Sequence, residues 1–223
     1  MIRYGWRCVL CALVAGLWGM DATEEFWAGS FGDAYIDRNC DLTGVAARIA
    51  MFTRILQSTM GVASFLELGA NIGLNMLALK AVAPGARLKA VEINRRAFAQ
   101  LAKIPGVETT HGSLLDYRSD ELVDLAFTCY VLIHIEPARL AEAYRVLYEA
   151  AARYVLICEY YNPTPVEVAY RGHAGRLFKR DFAGEMLDRY PDLQLVDYGF
   201  IYRRDPVYPA DDLTWFLLRK VGS

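Results

Sequence analysis

Neither sign of charge dominates this chain. Its 24 Lys and Arg face 26 Asp and Glu, a formal net charge of −2, so no global field favours a nucleic-acid partner. No internal repeat or low-complexity tract is visible. Charged residues make up 22% and hydrophobic ones 55%, a balance that excludes a disordered chain. The cysteines (Cys8, Cys11, Cys40, Cys129 and Cys158) are odd in number and scattered. Cys8 and Cys11 form a C-x-x-C with no second metal pair, so neither a zinc nor a redox site is expected. Cys129 and Cys158 fall in predicted core strands, where a reduced thiol behaves as a small apolar residue. The apolar run Cys8 to Gly19 is too short for a membrane span. Preceded by Arg3 and Arg7, it imitates a secretory signal, but Trp18 and Met20 stand where small residues would suit a signal peptidase. The polar start Asp21-Ala-Thr-Glu-Glu25 follows at once. We therefore expect translation to begin at Met20, residues 1–19 to be a leader outside the domain, and the product to be cytoplasmic without stable membrane insertion. The 223 residues suit one domain with a real core.

The most informative stretch runs from Ser64 to Asn75. Ala63 to Leu68 is a short, largely apolar run, and Leu74, Leu77 and Ala78 then recur at helical spacing. Gly69 and Gly73 permit the turn between them and let a ligand approach bare backbone. Exposed N–H groups at the start of the following helix favour an anionic ligand group. A dinucleotide fold would prefer G-x-G-x-x-G, yet Asn71 stands where its second glycine belongs. The spacing Glu67-Leu-Gly69-Ala-Asn71-Ile-Gly73 instead resembles motif I of class I S-adenosylmethionine (SAM)-dependent methyltransferases. Arg87 to Ile93 reads as a second strand ending in Val91-Glu92-Ile93-Asn94. Glu92 lies where an acid at the end of that strand would hydrogen-bond ribose hydroxyls. Alone it would read as a solvated carboxylate; with the Glu67 loop it reads as a nucleoside site.

Alternating strands near 64–69, 87–93, 107–112, 123–132 and 154–161 are separated by helical runs at 73–82, 94–103 and 137–151. That alternation predicts a parallel sheet covered on both faces. Leu42 to Met60 reads as a helix with Val45, Ile49, Phe52 and Leu56 on one face. Glu24 to Asn39 is aromatic-rich and punctuated by glycine, and we group 20–60 as an N-terminal segment ahead of a 61–223 domain. Leu193 to Arg204 and Asp212 to Lys220 are strand-like and linked by a Pro206/Pro209 loop, which suggests an antiparallel edge pair. The methyltransferase resemblance implies a Rossmann-like sheet of seven strands with a reversed last strand.

Strand ends in such sheets deliver ligand contacts. In similar methyltransferases the loop His111-Gly112-Ser113 lines the adenine, with Ser113 here in the place of an acid; Asp116 either substitutes or caps the loop. Asp124 to Ile135 resembles motif IV. Tyr130 and His134 sit beyond its carboxyl end, whereas Asp124 sits at the opposite end as a structural residue. His134 is either a general base, its ordinary pKa lying near 6.5, or a border of the cofactor pocket. After strand five, Glu159-Tyr160-Tyr161-Asn162-Pro163 opens a loop carrying Arg171, His173, Arg176, Lys179 and Arg180. Prolines and glycines hold such a loop in shape, and arginine forks suit carboxylate or phosphate. We read it as an anionic-substrate pocket, against the bland alternative of scattered solvated charges.

At this segment the resemblance narrows. Phe26-Trp27-x-Gly29-x-Phe31-Gly32-Asp33-x-Tyr35, the Glu67 loop and Glu159-Tyr160-Tyr161-Asn162-Pro163-Thr164-Pro165 together look like the pseudaminic acid biosynthesis-associated methylase family, from about Glu24 to the end. The resemblance implies association with nonulosonic-acid sugar pathways of bacterial surface glycans, and on it we expect methylation of a hydroxyl or amine of such a sugar acid or of its nucleotide-activated form. SAM would lie against Glu67, Gly69, Asn71, Gly73, Glu92, Ser113 and Tyr130. The acceptor would meet Tyr160, Tyr161, Asn162, Arg171, Arg176 and Arg180. For a base, His173 is preferred, then His134 and Glu159; no metal is expected. Competing readings are a methyltransferase of another small molecule or a protein, and a SAM-binding accessory protein without turnover. No Asn-Pro-Pro-Tyr amine-acceptor signature follows strand four.

Overall fold

The structure, a computed structural model, describes residues 20–39 and 44–222. The calls on the leader, on Cys8, Cys11 and Cys40, and on the first residues of the 42–60 helix lie outside the described residues. The chain opens with α1 (Ala22–Ala28) and α2 (Ser30–Asn39), followed by α3 (Gly44–Gln57). Then come β1 (Ser64–Leu68), α4 (Leu74–Val82), β2 (Arg87–Glu92), α5 (Arg95–Leu101), β3 (Val107–His111) and β4 (Val123–Cys129). The second half adds α6 (Leu140–Ala150), β5 (Ala151–Glu159), a hairpin of β6 (Val166–Glu167) and β7 (Phe178–Lys179), α7 (Phe182–Arg189), β8 (Leu193–Ile201) and β9 (Leu213–Lys220).

The seven-stranded sheet runs β3-β2-β1-β4-β5-β9-β8. Its first five strands are parallel, and β9 is antiparallel to both β5 and β8. This is the expected sheet with one reversed strand. β1 and β4 are buried because helices cover both faces, which is why they read as apolar runs without alternation. One apolar layer gathers α6 and α7 residues such as Leu147 and Met186 against the sheet. The other gathers Met51, Phe52 and Ile55 of α3 with Met76 and Leu79 of α4. Helix α3 is thus part of the core.

Several boundaries move. β4 stops at Cys129, because Tyr130 turns left-handed at φ +58° and Leu132–His134 forms a 3-10 turn. The 137–151 helix begins at Leu140 after a 3-10 turn at Pro137–Arg139, and β5 runs earlier than expected. The aromatic segment is two helices. Asp21 caps the first: its side chain accepts the Thr23 and Glu24 N–H at 2.7 and 2.8 Å, while Glu24 accepts the Asp21 N–H at 2.9 Å. Asp124 is structural as expected, accepting the Ala63 and Ser64 N–H at 2.8 and 3.1 Å. Among the described residues no helix is long and apolar enough to cross a membrane, and no cluster suited to a metal ion occurs.

Candidate functional site

The carboxyl ends of β1, β2, β4 and β5 open into one cavity of about 530 Å³, roofed by α1 and α2. On the floor, Gly69 lies at φ +82° and Asn71 at +50°, and the Gly69 and Ala70 N–H both donate to the Val91 carbonyl at 2.9 Å. A Cβ at Gly69 would stand 2.6 Å from the Val131 side chain. Gly73 is left-handed at +87° and starts α4, but it faces Ile104 and Leu101 and is absent from the cavity wall. Its glycine serves helix packing, and the neighbouring Ile72 and Leu74 meet the cavity instead.

Glu67 is buried. Its Oε1 accepts Asn75 Nδ2 at 2.5 Å and its Oε2 has no protein partner. Burial pushes its pKa up to about 8, against the pull of Asn75 and Arg48. Glu92 is also buried. Its two oxygens accept the Asn71 and Asn94 N–H at 2.7 and 2.6 Å, and burial raises its pKa. Each carboxylate oxygen takes two hydrogen bonds, so Glu92 keeps acceptor capacity toward the cavity. Arg48 of α3 also lies on the wall, and its Nε has no partner. Ser113 is on the wall, yet its hydroxyl donates to Glu24 and accepts the Leu115 N–H at 3.1 Å. Asp116 is exposed and off the wall.

Tyr130 reaches the wall from its strained turn; holding a non-glycine residue there costs on the order of 1 kcal/mol. Glu159 explains how. Its carboxylate accepts the Val131, Leu132 and Ile133 N–H at 3.1, 3.0 and 3.4 Å, fastening the turn after β4. Burial pushes it up to about 7. Glu159, expected as a candidate base, is off the cavity wall and braces the turn.

His134 lies on the wall between Trp27 and Tyr170, with ring centroids at 4.4 and 5.1 Å. Its Nδ1 stands 2.6 Å from the Arg176 carbonyl, which can only accept, so Nδ1 carries the proton and Nε2 the lone pair. Burial pulls its pKa down to about 4.

The loop after β5 divides. Tyr160 and Arg171 face the cavity. Arg176 instead donates to Thr23 Oγ1 at 2.8 Å and lies over the Phe26 ring, and Arg180 is paired with Glu185 at 2.7 Å. His173 is exposed, packed edge-on to Phe26 and Phe31, and off the wall. Tyr161 packs toward Phe216, and Asn162 bonds the Thr164 carbonyl. Within the loop β6 pairs with β7, and Tyr161 forms an isolated bridge with Arg180. The apparent basic pocket thus contributes one arginine to the wall; Arg176 and Arg180 brace the fold.

Sequence reading missed Trp27, Tyr35 and Arg38 from the roof, Arg48 from α3, Tyr170 from the hairpin and Asp211 from the β8–β9 loop, all on the wall. The Asp21-x-x-Glu24 capping signature could have announced the roof helices. Nothing local marks Arg48 or Asp211.

Solved structures share this fold over most of the chain. The 1,6-didemethyltoxoflavin-N1-methyltransferase of Burkholderia thailandensis, with S-adenosylhomocysteine bound, aligns with TM-score 0.67 at 17% identity, over 91% of this chain and 92% of that one. The magnesium protoporphyrin IX methyltransferase of Synechocystis, with SAM bound, aligns with TM-score 0.64 at 12% identity, over 91% and 98%. A SAM-bound amino pentose methyltransferase from Micromonospora echinaspora aligns with TM-score 0.61 at 12% identity, over 86% and 96%. No family model and no curated protein matches the chain. The fold is therefore the Rossmann-like fold of class I methyltransferases.

Proposed function

We propose that this chain is a SAM-dependent methyltransferase acting on a small, anion-bearing acceptor. One observation carries the reading: the cavity wall holds buried polar atoms without protein partners, namely Arg48 Nε, Glu67 Oε2, Asn71 Oδ1 and Asn75 Oδ1. Buried polar atoms are normally paired, and this set suits an α-amino-acid end. Arg48 would hold its carboxylate, and the oxygens of Glu67, Asn71 and Asn75 its ammonium. Glu92, with acceptor capacity left on both oxygens, would hold a ribose diol. Apolar and backbone groups at Ile93, Gly112 and Leu114 would flank the adenine, since the Ser113 hydroxyl is already engaged. SAM, when bound, supplies an electrophilic methyl on a sulfonium. The solved neighbours with SAM or S-adenosylhomocysteine bound support the same assignment.

What the protein adds is placement. Tyr130, held in its turn by Glu159, and the roof residues Trp27 and Tyr35 shape the space beyond the floor. Aligning donor and acceptor accounts for much of the rate in such a displacement. For the acceptor we favour a nonulosonic sugar acid or its nucleotide-activated form. The sequence resemblance supports this, as do Arg171 and Arg38 on the wall, whose guanidinium groups suit a carboxylate or phosphate. Calorimetry with SAM, then mass spectrometry for a product one CH2 heavier from a panel of sugar acids and their activated forms, tests the proposal. Binding plus a methylated sugar acid is the expected result. A folded protein that does not bind SAM would overturn the assignment; methylation of neutral sugars alone would overturn the acceptor class.

A further inference from the structure

A strip of rings lies bare on the outer two strands of the sheet. In the β8–β9 ladder the pairs Tyr198–Phe216 and Phe200–Thr214 face the side that α6 and α7 cover, whereas Gly199–Trp215 and Ile201–Leu213 face the other. Helix α7 covers the start of β8, where its Phe182 and Met186 share one apolar layer with Leu193 and Leu218. Farther along that side, Leu195, Tyr198 and Phe200 stay 47%, 61% and 55% exposed, and Tyr161 and Tyr202 beside them 41% and 44%. Tyr161 and Tyr198 both pack on Phe216, with ring centroids at 5.7 and 6.2 Å, and Phe200 packs on Tyr202 at 6.2 Å. The exposed rings thus form one surface. We propose that this strip is the interface of a twofold-symmetric dimer, covered by the same strip of a second copy of the chain.

Area is the first argument. A buried aromatic side chain covers about 150–250 Å², so four rings near half exposure, with Leu195, offer roughly 500 Å² of apolar surface. A stable interface takes about 800 Å² from each partner, and about two-thirds of a homodimer interface is apolar. The strip supplies close to that share. Patches of this size on a single chain often mark a binding surface.

Charge is the second. Tyr161, Leu195, Tyr198, Phe200, Tyr202 and Phe216 carry none, so the strip needs no partner of opposite sign and meets its own copy without repulsion. In the adjoining loop Arg203 and Arg204 are balanced by Asp205, Asp211 and Asp212, unlike the basic rim that an anionic membrane selects.

The backbone sets the manner of docking. β8 is an edge strand, and an open edge invites a partner's strand. Here the ladder is irregular between Leu195 and Asp197, and the Asp197 carboxylate turns back on its own chain. Its Oδ1 accepts the Tyr198 N–H at 2.8 Å and its Oδ2 the Ser58 hydroxyl at 2.7 Å. With the edge blunted, the contact is face to face across the twofold axis, and it closes at two copies.

Sedimentation velocity on the full chain, from about 1 to 50 μM, tests the inference. Wild type should run as a dimer in the upper part of that range and go no further. Tyr198→Glu and Phe200→Glu each place an unpaired carboxylate in the contact, and should weaken association at least about a hundredfold with circular dichroism unchanged. Tyr202→Glu, past the end of β8, should do the same without touching the strand. Leu122→Glu, at an exposed apolar side chain outside the strip, should leave the dimer intact. A wild-type monomer would overturn the inference and leave the strip to a different protein or a membrane. A dimer that survives the three strip variants, an equal loss in Leu122→Glu, or association that continues past two copies would also overturn it.

Discussion

Glu92→Ala puts the cofactor floor under the most direct strain. The carboxylate ties the Asn71 and Asn94 N–H groups together at 2.7 and 2.6 Å, holding the left-handed turn at Asn71 against the exit of β2. Hydrogen bonds to a charged group contribute about 1.5–3 kcal/mol each. Glu92 borders a cavity that water can enter, so the released N–H groups rehydrate in part, and a net stability loss of about 2 kcal/mol is expected. For a chain of this length that lowers the melting temperature by roughly 4–8 °C. The ribose bonds add a second effect. Losing charge-assisted bonds of about 1.5–3 kcal/mol should weaken SAM by roughly ten- to hundredfold. Glu92→Gln keeps one acceptor oxygen but turns an NH2 against a backbone N–H, so its affinity should fall between the other two. Calorimetry with SAM alongside thermal melts reads both effects. Unchanged melting and SAM affinity within about threefold of wild type would refute the assignment of Glu92.

The remaining expectations concern other walls of the cavity. Gly69→Ala forces a Cβ to within 2.6 Å of Val131 at φ +82°, so it should cost about 1–3 kcal/mol in denaturant unfolding; a neutral result would mean that the turn relaxes freely. Arg176→Ala and Arg180→Ala should lower melting temperature with little change in acceptor KM, whereas Arg171→Ala should raise acceptor KM and leave stability alone. The reverse pattern would restore the whole loop as an acceptor site. His134 is held neutral with a pKa near 4, while the unfolded histidine titrates near 6.5. Between those values the unfolded chain binds the extra proton, so wild type should lose about 3 kcal/mol relative to His134→Gln as pH falls from 6.5 to 4. The protonation of Glu67 and Glu159 works the other way on both proteins and cancels in the difference; parallel stability–pH curves would show that His134 is not desolvated. Deleting residues 1–19 should leave SAM affinity intact, because every cofactor motif lies after Met20, and calorimetry on the shortened chain checks it.

The parts of this protein legible from the chain alone are those whose physics is local. β1, the Gly69 turn and α4 are contiguous, and an apolar run followed by helical spacing declares them. Glu92 follows from the length of one βαβ unit, and the parallel sheet with its reversed β9 from the order of alternating segments. Only the tertiary structure decided which polar residues face the cavity. Glu159 and Tyr160 are neighbours, yet one is buried beneath the turn after β4 and the other lines the site. Arg176 is turned away by Thr23, 153 positions earlier, and Arg180 by Glu185. Arg48 and Asp211 are brought to the wall by a helix and a loop far apart in sequence. A side chain's direction at the end of a sheet depends on the elements that pack over it, and that packing has no period, cap or motif by which a linear reading could register it.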